Sequence, residues 1–424
     1  MKTILKNAHI LTMEKPEILQ NFDLMMENGK IVKIAKDINI GEVNEINVVD
    51  CTGKYLMPGL FDMHVHLNSS EMMQLFIACG VTSVRNMWGF PIQLEWKKQA
   101  EKGELLSPYI YSTGPLTDGV SYWAGSSIVT TPEEAEAAVL QSIEDGYMYF
   151  KAYPSIPKDA FLHLLAVAKK HNFKVVGHGN NELSWKTLAD FGYYCCEHTN
   201  CLPEDHSDIT YMAKSGMWLC PTHVVVKTIA DYVYENASFD DHPHKEYVTP
   251  RNMEEWKDIT IWRKSNGKYT PGESYPMEER VSRALKFIEV AGPEKIILGS
   301  DTPNPGVVAG LSIHDELVHM VNEYKLSIFD TLKTGTVNGA LHLGLENQKG
   351  TLKEGLDADI LVLDANPLED VKNVSKINMV IQGGKMHDRT ALDSILENAR
   401  NIKDEDIIFV YESQKIAGGH NGSY

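Results

Sequence analysis

His64 and His66 stand two apart in Phe61-Asp62-Met63-His64-Val65-His66, and Lys151, His178, His198 and Asp301 follow at wide spacing along the chain. Together these residue types can hold two metal ions. A pair two apart on a strand points both side chains to one face, and two neutral imidazoles can then bind one dication. By itself such a pair is as consistent with two ordinary histidines. His178 closes the apolar run 173–177 and His198 closes the run 193–197, so each brings a further imidazole to the end of its own β-rich stretch. Lys151, in Tyr149-Phe150-Lys151-Ala152-Tyr153, is the odd member, because an ammonium beside a metal is repelled. A deprotonated lysine can instead react with carbon dioxide to give a carbamate, an anion whose two oxygens can bridge two dications. A loop lysine or a substrate-binding cation are the plainer readings. Asp301, in Leu298-Gly299-Ser300-Asp301-Thr302, offers a carboxylate that can bind metal and accept a proton from a bridging water, or merely cap the following helix.

Such residues need a scaffold that brings distant strand ends to one place. Eight short apolar, β-rich runs fall at 56–66, 81–87, 109–113, 148–153, 174–178, 193–198, 217–222 and 295–300. Helical patterns alternate with them, for example 132–145 with acidic residues in its first turn and 159–171 with Phe161, Leu164, Leu165 and Ala168 on one stripe. Eight βα repeats predict an α/β fold, a TIM-like (β/α)8 barrel whose strand ends share one mouth. Strands with tight turns also occur at 4–13, 23–34 and 46–51, and again at 358–363 and 379–381 before Gly383-Gly384. Each patch alone is half a core, so both ends of the chain are expected to pair into one small β-sandwich domain. The expected boundaries are 1–57 plus 346–400 for that domain, 58–345 for the barrel, and 401–424 for a C-terminal extension holding a further strand and a polar tail. Residues 224–276, rich in Tyr, Trp and His (Tyr232, His244, Trp256, Trp262), form an insertion expected to wall or cover the pocket, with a homo-oligomer contact as the alternative.

At 424 residues with 43% hydrophobic composition the chain has material for both units, and a formal net charge of −18 disfavours nucleic acid and anionic membrane surfaces as partners. The start lacks an apolar signal core, no stretch approaches a membrane span, and six cysteines are too sparse for a disulfide scaffold. These features predict a cytoplasmic protein. Cys195, Cys196 and Cys201 are spaced poorly for zinc and read as buried small residues. Without a GxGxxG turn or a phosphate-cradling glycine loop, nucleotide cofactors are not indicated.

The segments Met57-Pro58-Gly59-Leu60-Phe61-Asp62-Met63-His64-Val65-His66, Phe150-Lys151-Ala152-Tyr153, Val176-Gly177-His178, Glu197-His198 and Gly299-Ser300-Asp301 together resemble the amidohydrolase superfamily. Ser312-Ile313-His314-Asp315-Glu316-Leu317 and the stretch 350–360 resemble its imidazolonepropionase- and prolidase-like branch. The resemblance implies a binuclear centre in which His64, His66 and Asp301 bind one ion and His178 and His198 the other, with N6-carboxylated Lys151 between them. Zinc suits such a donor set, although manganese, iron, cobalt and nickel are accepted by it too. It also implies a small-molecule substrate, attacked by water that the ions activate, with Asp301 carrying the proton to the leaving nitrogen. A dipeptide or N-acyl amino acid is the expected substrate class. Alternatives are opening of a cyclic amide or imidazolone ring, deamination, lactone or phosphotriester hydrolysis, and a non-catalytic barrel scaffold. Two positions depart from the family pattern. Asn86 follows Arg85 where relatives often carry aspartate, and His223 follows Cys220-Pro221-Thr222 where they carry an apolar residue. Arg85 is a candidate partner for a substrate carboxylate or a protein acid; His223 is a substrate contact or a buried, satisfied histidine; Tyr153 completes the expected substrate contacts.

Overall fold

The computed structural model describes residues 2–39, 46–121, 125–266 and 276–407. Its N-terminal strands are β1 (Lys2–Ile10), β2 (Leu19–Glu27), β3 (Lys30–Ala35), β4 (Ile46–Asp50) and β5 (Tyr55–Pro58). β2 and β3 form an antiparallel hairpin across Asn28-Gly29, with φ of 51° and 77°, the backbone that a two-residue type I′ turn requires. β1 pairs with β2 along one edge and, along the other, runs parallel first to β4 and then to β5.

The central elements are all parallel. β6 (Leu60–Val65), β7 (Val81–Asn86) and β8 (Tyr109–Ser112) form one sheet. The short β9 (Thr117–Asp118) and β10 (Ser127–Ile128) join β11 (Tyr149–Ala152), β12 (Lys174–Gly177), β13 (Cys195–Glu197) and β14 (Trp218–Cys220) in a second. Single parallel bridges link what the ladders leave apart: Thr113 to Tyr149, Leu219 to Ile296, and Val65 to Thr302. The segment 296–302 is bonded on both sides, Ile297 N donating to Leu219 O at 3.0 Å and Met63 N to Leu298 O at 2.8 Å, although its ladders are too short to count as a regular strand. The pairings therefore run from β6 round to 296–302 and back to β6.

β15 (Ile360–Leu363), β16 (Ile377–Gln382) and β17 (Lys385–His387) return to the first sheet, where β15 pairs with β5. Both chain ends thus share one β unit with its own apolar cluster, including Leu5, Leu24, Ile31, Leu56, Ile360 and Ile381. Its strands hydrogen-bond into one branched sheet of eight, β4 leaving the path at β1, where the sequence suggested two facing sheets.

Residues 56–66 read as one strand but divide at Gly59: Tyr55–Pro58 belongs to the terminal sheet and Leu60–Val65 to the central one. At the hinge a Cβ on Gly59 would collide with the Thr82 side chain, so only glycine permits the approach, and Gly59 N donates to Asp359 O at 3.0 Å. Unbroken hydrophobicity conceals such a break, because both halves are buried.

The helix Pro132–Glu144 forms where expected, opened by a reciprocal cap in which Thr131 accepts from Glu134 N and Glu134 accepts from Thr131 N at 3.1 Å. The helix Lys158–Lys170 buries Phe161, Leu164, Leu165 and Ala168. The described part of the insertion, up to residue 266, is largely helical, with His223–Ile229, a π-turn at Ala230–Tyr234 and Pro250–Asn266. It is pinned to the loop after 296–302: Trp256 Nε1 donates to Pro303 O at 3.1 Å, and His242 Nε2 lies 3.1 Å from Gly306 O. Among the described residues no helix is long and apolar enough to cross a membrane. The expected C-terminal strand falls largely on 408–424, outside the described residues.

Candidate metal centre

His64 lies on β6 and is fully buried; His66 follows the strand end, and Asp301 closes 296–302 beside both. Asp301 Oδ1 is 2.9 Å from His66 Nε2 and 3.4 Å from His64 Nε2. His178 and His198, one residue beyond β12 and β13, bring their Nε2 atoms to 3.1 Å. Two ligands at zinc–nitrogen distance on one tetrahedral ion lie roughly 3.4 Å apart, so both pairs have the spacing of ligands around a dication. The donor atoms of His64, His198 and Asp301 all lie within 4.8 Å of one another. Lys151, on β11, is fully buried, and among the described residues neither its Nζ nor His64 Nε2 has a hydrogen-bond partner. Orphaned buried polar atoms are costly, and a bound cation with a modified lysine would satisfy both.

The electrostatics suit the same role. Burial, then the nearby Lys151, lowers the pKa of His64 and His178 well below the ordinary value, and burial lowers His198 to about 3, leaving neutral imidazoles able to ligate. Burial also lowers the Lys151 pKa, against the opposing pull of Glu197 and Asp301. Burial alone would raise Asp301, but His198, His66 and Lys151 outweigh it and keep the carboxyl ionised. Cys220 lies within ligand distance of His64 and Glu197, and burial pushes its thiol far upward, so in the metal-free protein it stays protonated.

Three residues at the strand ends carry left-handed backbones, His198 at φ 69°, Thr222 at 45° and Asp301 at 65°. For a β-branched threonine this is strained, and the surrounding bonds hold it, His198 Nδ1 lying 2.6 Å from Thr222 Oγ1. The pivot has a consequence on β13. Alternation would send Glu197 and His198 to opposite faces, yet the reversed backbone at His198 brings both to the centre.

Glu197 is the residue whose part the sequence did not assign. Its carboxylate accepts two bonds from Arg85 Nη2, at 2.7 and 2.8 Å, and its Oε2 is 2.8 Å from His64 Nδ1. That contact places the imidazole proton on Nδ1 and turns the Nε2 lone pair toward Asp301. A single acid inside an apolar run was the available signal, since a buried acid must be paired.

Residues 55–387 match the amidohydrolase family. The chain belongs to that family. Among its relatives is an imidazolonepropionase from Kosmotoga olearia, 34% identical over 392 residues that cover 88% of this chain and 92% of the relative. Among solved structures, a putative prolidase from Bifidobacterium longum superposes with a TM-score of 0.72 at 23% identity, covering 94% of this chain and 98% of that one. Aspergillus niger ochratoxinase gives 0.69 at 19% identity, covering 91% and 94%. As an amidohydrolase the protein is a hydrolase acting on carbon–nitrogen bonds.

Family membership sharpens the reading of the remaining candidates. Tyr153 lines the pocket and stacks on His178 with ring centroids 4.1 Å apart. Arg85 does not reach the rim; it is fully buried, bonded to Glu197, Met63 O and His342, so its partner is a protein acid rather than a substrate carboxylate. His223 is likewise the satisfied core histidine, 2% exposed, with Nδ1 2.9 Å from Tyr324 Oη, because it opens a helix whose N-terminus points into the core. Asn86 uses its whole amide, accepting from Leu67 N and donating to Trp88 O and Ser112 Oγ, two donations an aspartate could not make. The rest of the pocket lining is Trp88, Leu116, Asn200 and Asn304, which the sequence did not single out, and Val225, Val226, Ile229 and Arg263 of the segment expected to wall it.

The approach of β11 to β12 depends on Gly177, at φ 142°, where a Cβ would fall on the Ala152 carbonyl oxygen. Gly177→Ala is therefore expected to reduce stability by about 1–3 kcal/mol and to displace His178. Urea denaturation together with zinc titration would detect both losses, and an unchanged midpoint would show that the strands can separate freely.

Proposed function

We propose that this amidohydrolase cleaves the amide bond of a dipeptide or N-acyl amino acid at a binuclear centre. The observation that carries the reading is the convergence of His66, His178, His198 and Asp301 on one strand-end pocket, with the His64 ring 4.6 Å from that of His198 and the buried amine of Lys151 without a hydrogen-bond partner among the described residues. In this reading residues 58–345 form a closed (β/α)8 barrel, residues 1–57 and 346–400 form the companion β domain, and the protein works in the cytoplasm.

His64, His66 and Asp301 would hold one ion, His178 and His198 the second, and Lys151 would lie between them as a carbamate. Zinc is the ion that best fits the imidazole-rich set. When bound, two such ions supply Lewis acidity and lower the pKa of an associated water toward about 7. Lys151 acquires its charge when neutral Nζ attacks carbon dioxide and releases a proton, and burial of the amine favours the neutral form this requires. Asp301 accepts the proton of the attacking water and returns it to the amide nitrogen as the carbon–nitrogen bond breaks, yielding a carboxylate and an amine. Trp88, Tyr153 and the Val225–Ile229 side of the insertion keep bulk water from the reacting bond.

Assay of N-acyl amino acids, dipeptides, cyclic amides and lactones with zinc-loaded protein tests the class. Turnover confined to lactones or cyclic amides would overturn the linear-amide reading. The second reading, ring opening of an imidazolone, has the similarity to the Kosmotoga olearia protein in its favour. Chelation is expected to abolish turnover and lower Tm by several degrees, because a ligand that binds only the folded state stabilises it, by about 4 kcal/mol at a thousandfold excess over Kd. Zinc with bicarbonate should restore both. Full activity in protein shown by elemental analysis to be metal-free would dispose of the proposed centre.

A further inference from the structure

Arg263 stands in the last turn of the insertion helix Pro250–Asn266 and lines the same pocket as His66, His178, His198 and Asp301. A basic residue in a final helical turn complements the helix dipole, which by itself is reason enough for its charge. The dipole does not account for where the side chain goes. Arg263 Nη2 donates to Asn304 Oδ1 at 3.3 Å, and Asn304 Nδ2 in turn donates to the Asp301 carbonyl at 2.9 Å. The guanidinium is thereby referenced, through one amide, to the backbone of the residue that moves the proton. Among the described lining residues it is the lone arginine or lysine, and Trp88, Leu116, Val226 and Ile229 of the same pocket are apolar.

We infer that Arg263 is a specificity-determining residue that holds a substrate carboxylate while the apolar walls receive an uncharged side chain. The inference rests on the proposed cleavage of N-acyl amino acids and names which of them fit: those with a free carboxylate and an aliphatic or aromatic side chain. The planar guanidinium can bind a carboxylate through two parallel bonds, and inside a protein of net charge −18 a local cation is what makes an anionic substrate acceptable. Lys151 is excluded from this role because it is fully buried and, in the proposed centre, carries a carbamate rather than an ammonium.

The test compares N-acetyl-phenylalanine with N-acetyl-phenylalaninamide on wild type, Arg263→Met and Arg263→Lys. Binding is measured by calorimetry on metal-loaded and chelator-treated protein, and kcat/KM on the loaded enzyme. Wild type should prefer the acid, and Arg263→Met should cut the acid-to-amide ratio roughly 10- to 100-fold, chiefly through KM. Arg263→Lys, keeping charge but losing the fork, should fall between them. A merely structural arginine would lower acid and amide together and leave the ratio unmoved, which would overturn the inference. So would a wild type without preference, or a preference that survives Arg263→Met because the metals take the carboxylate. If neither compound is turned over but the binding ratio still depends on Arg263, the reaction class is wrong and the carboxylate site stands.

Discussion

Replacing Lys151 by methionine is expected to lower kcat/KM at least about a thousandfold while leaving the fold intact. Among the described residues the buried Nζ has no hydrogen-bond partner, so the wild-type chain carries the burden of a buried polar group. Methionine has similar length and no polar demand, and the metal-free variant should melt at or above metal-free wild type. Activity is another matter, because the substitution removes the amine proposed to form a carbamate between the two imidazole pairs. Two mutually repelling dications then lack the anion between them, and elemental analysis should find fewer ions per chain. In wild type supplied with 13C-bicarbonate, a carbamate resonance should appear and then vanish in Lys151→Met. Retention of full metal content with kcat/KM within tenfold of wild type would take the lysine out of the centre.

Glu197→Gln should do the reverse and damage both fold and site. The carboxylate neutralises Arg85, fully buried with it, and fixes the His64 tautomer. Glutamine leaves the guanidinium without a counter-charge, a loss of about 3–5 kcal/mol for breaking one side of a buried pair. If its amide nitrogen faces His64 it donates to Nδ1, so the imidazole proton moves to Nε2, the atom that should ligate. Metal affinity is expected to fall about 10- to 100-fold. The double variant Glu197→Gln with Arg85→Met separates the effects: stability should largely return, since no charge remains unpaired, while metal affinity should not. Denaturant midpoints and competitive zinc titration measure the two quantities. Recovery of affinity in the double variant would show that Glu197 acts only as the anion for Arg85.

Much of the candidate centre was legible because the proposed ligands stand at strand ends. His64, His66, His178, His198 and Asp301 each follow an apolar run, and a parallel framework of eight such runs places their ends on one side. What misled was side-chain direction. Arg85 ends a strand and so looked like a rim residue, yet it turns inward to a buried acid. His223 follows a strand too, but opens a helix and packs on Tyr324.

The sequence alone determined the order of βα units, the pairing of both chain ends into one β unit and the candidate set of metal-binding residue types, because these follow from local periodicity and chemistry. Only the tertiary structure decided the division at Gly59, the reversed backbone that carries His198 inward beside Glu197, and the route by which Arg263 reaches the pocket. Each of these depends on contacts between residues far apart in the chain: Gly59 with Thr82, His198 with Thr222, and Arg263 with Asn304. Local propensity carries no information about such neighbours, and packing settles their geometry.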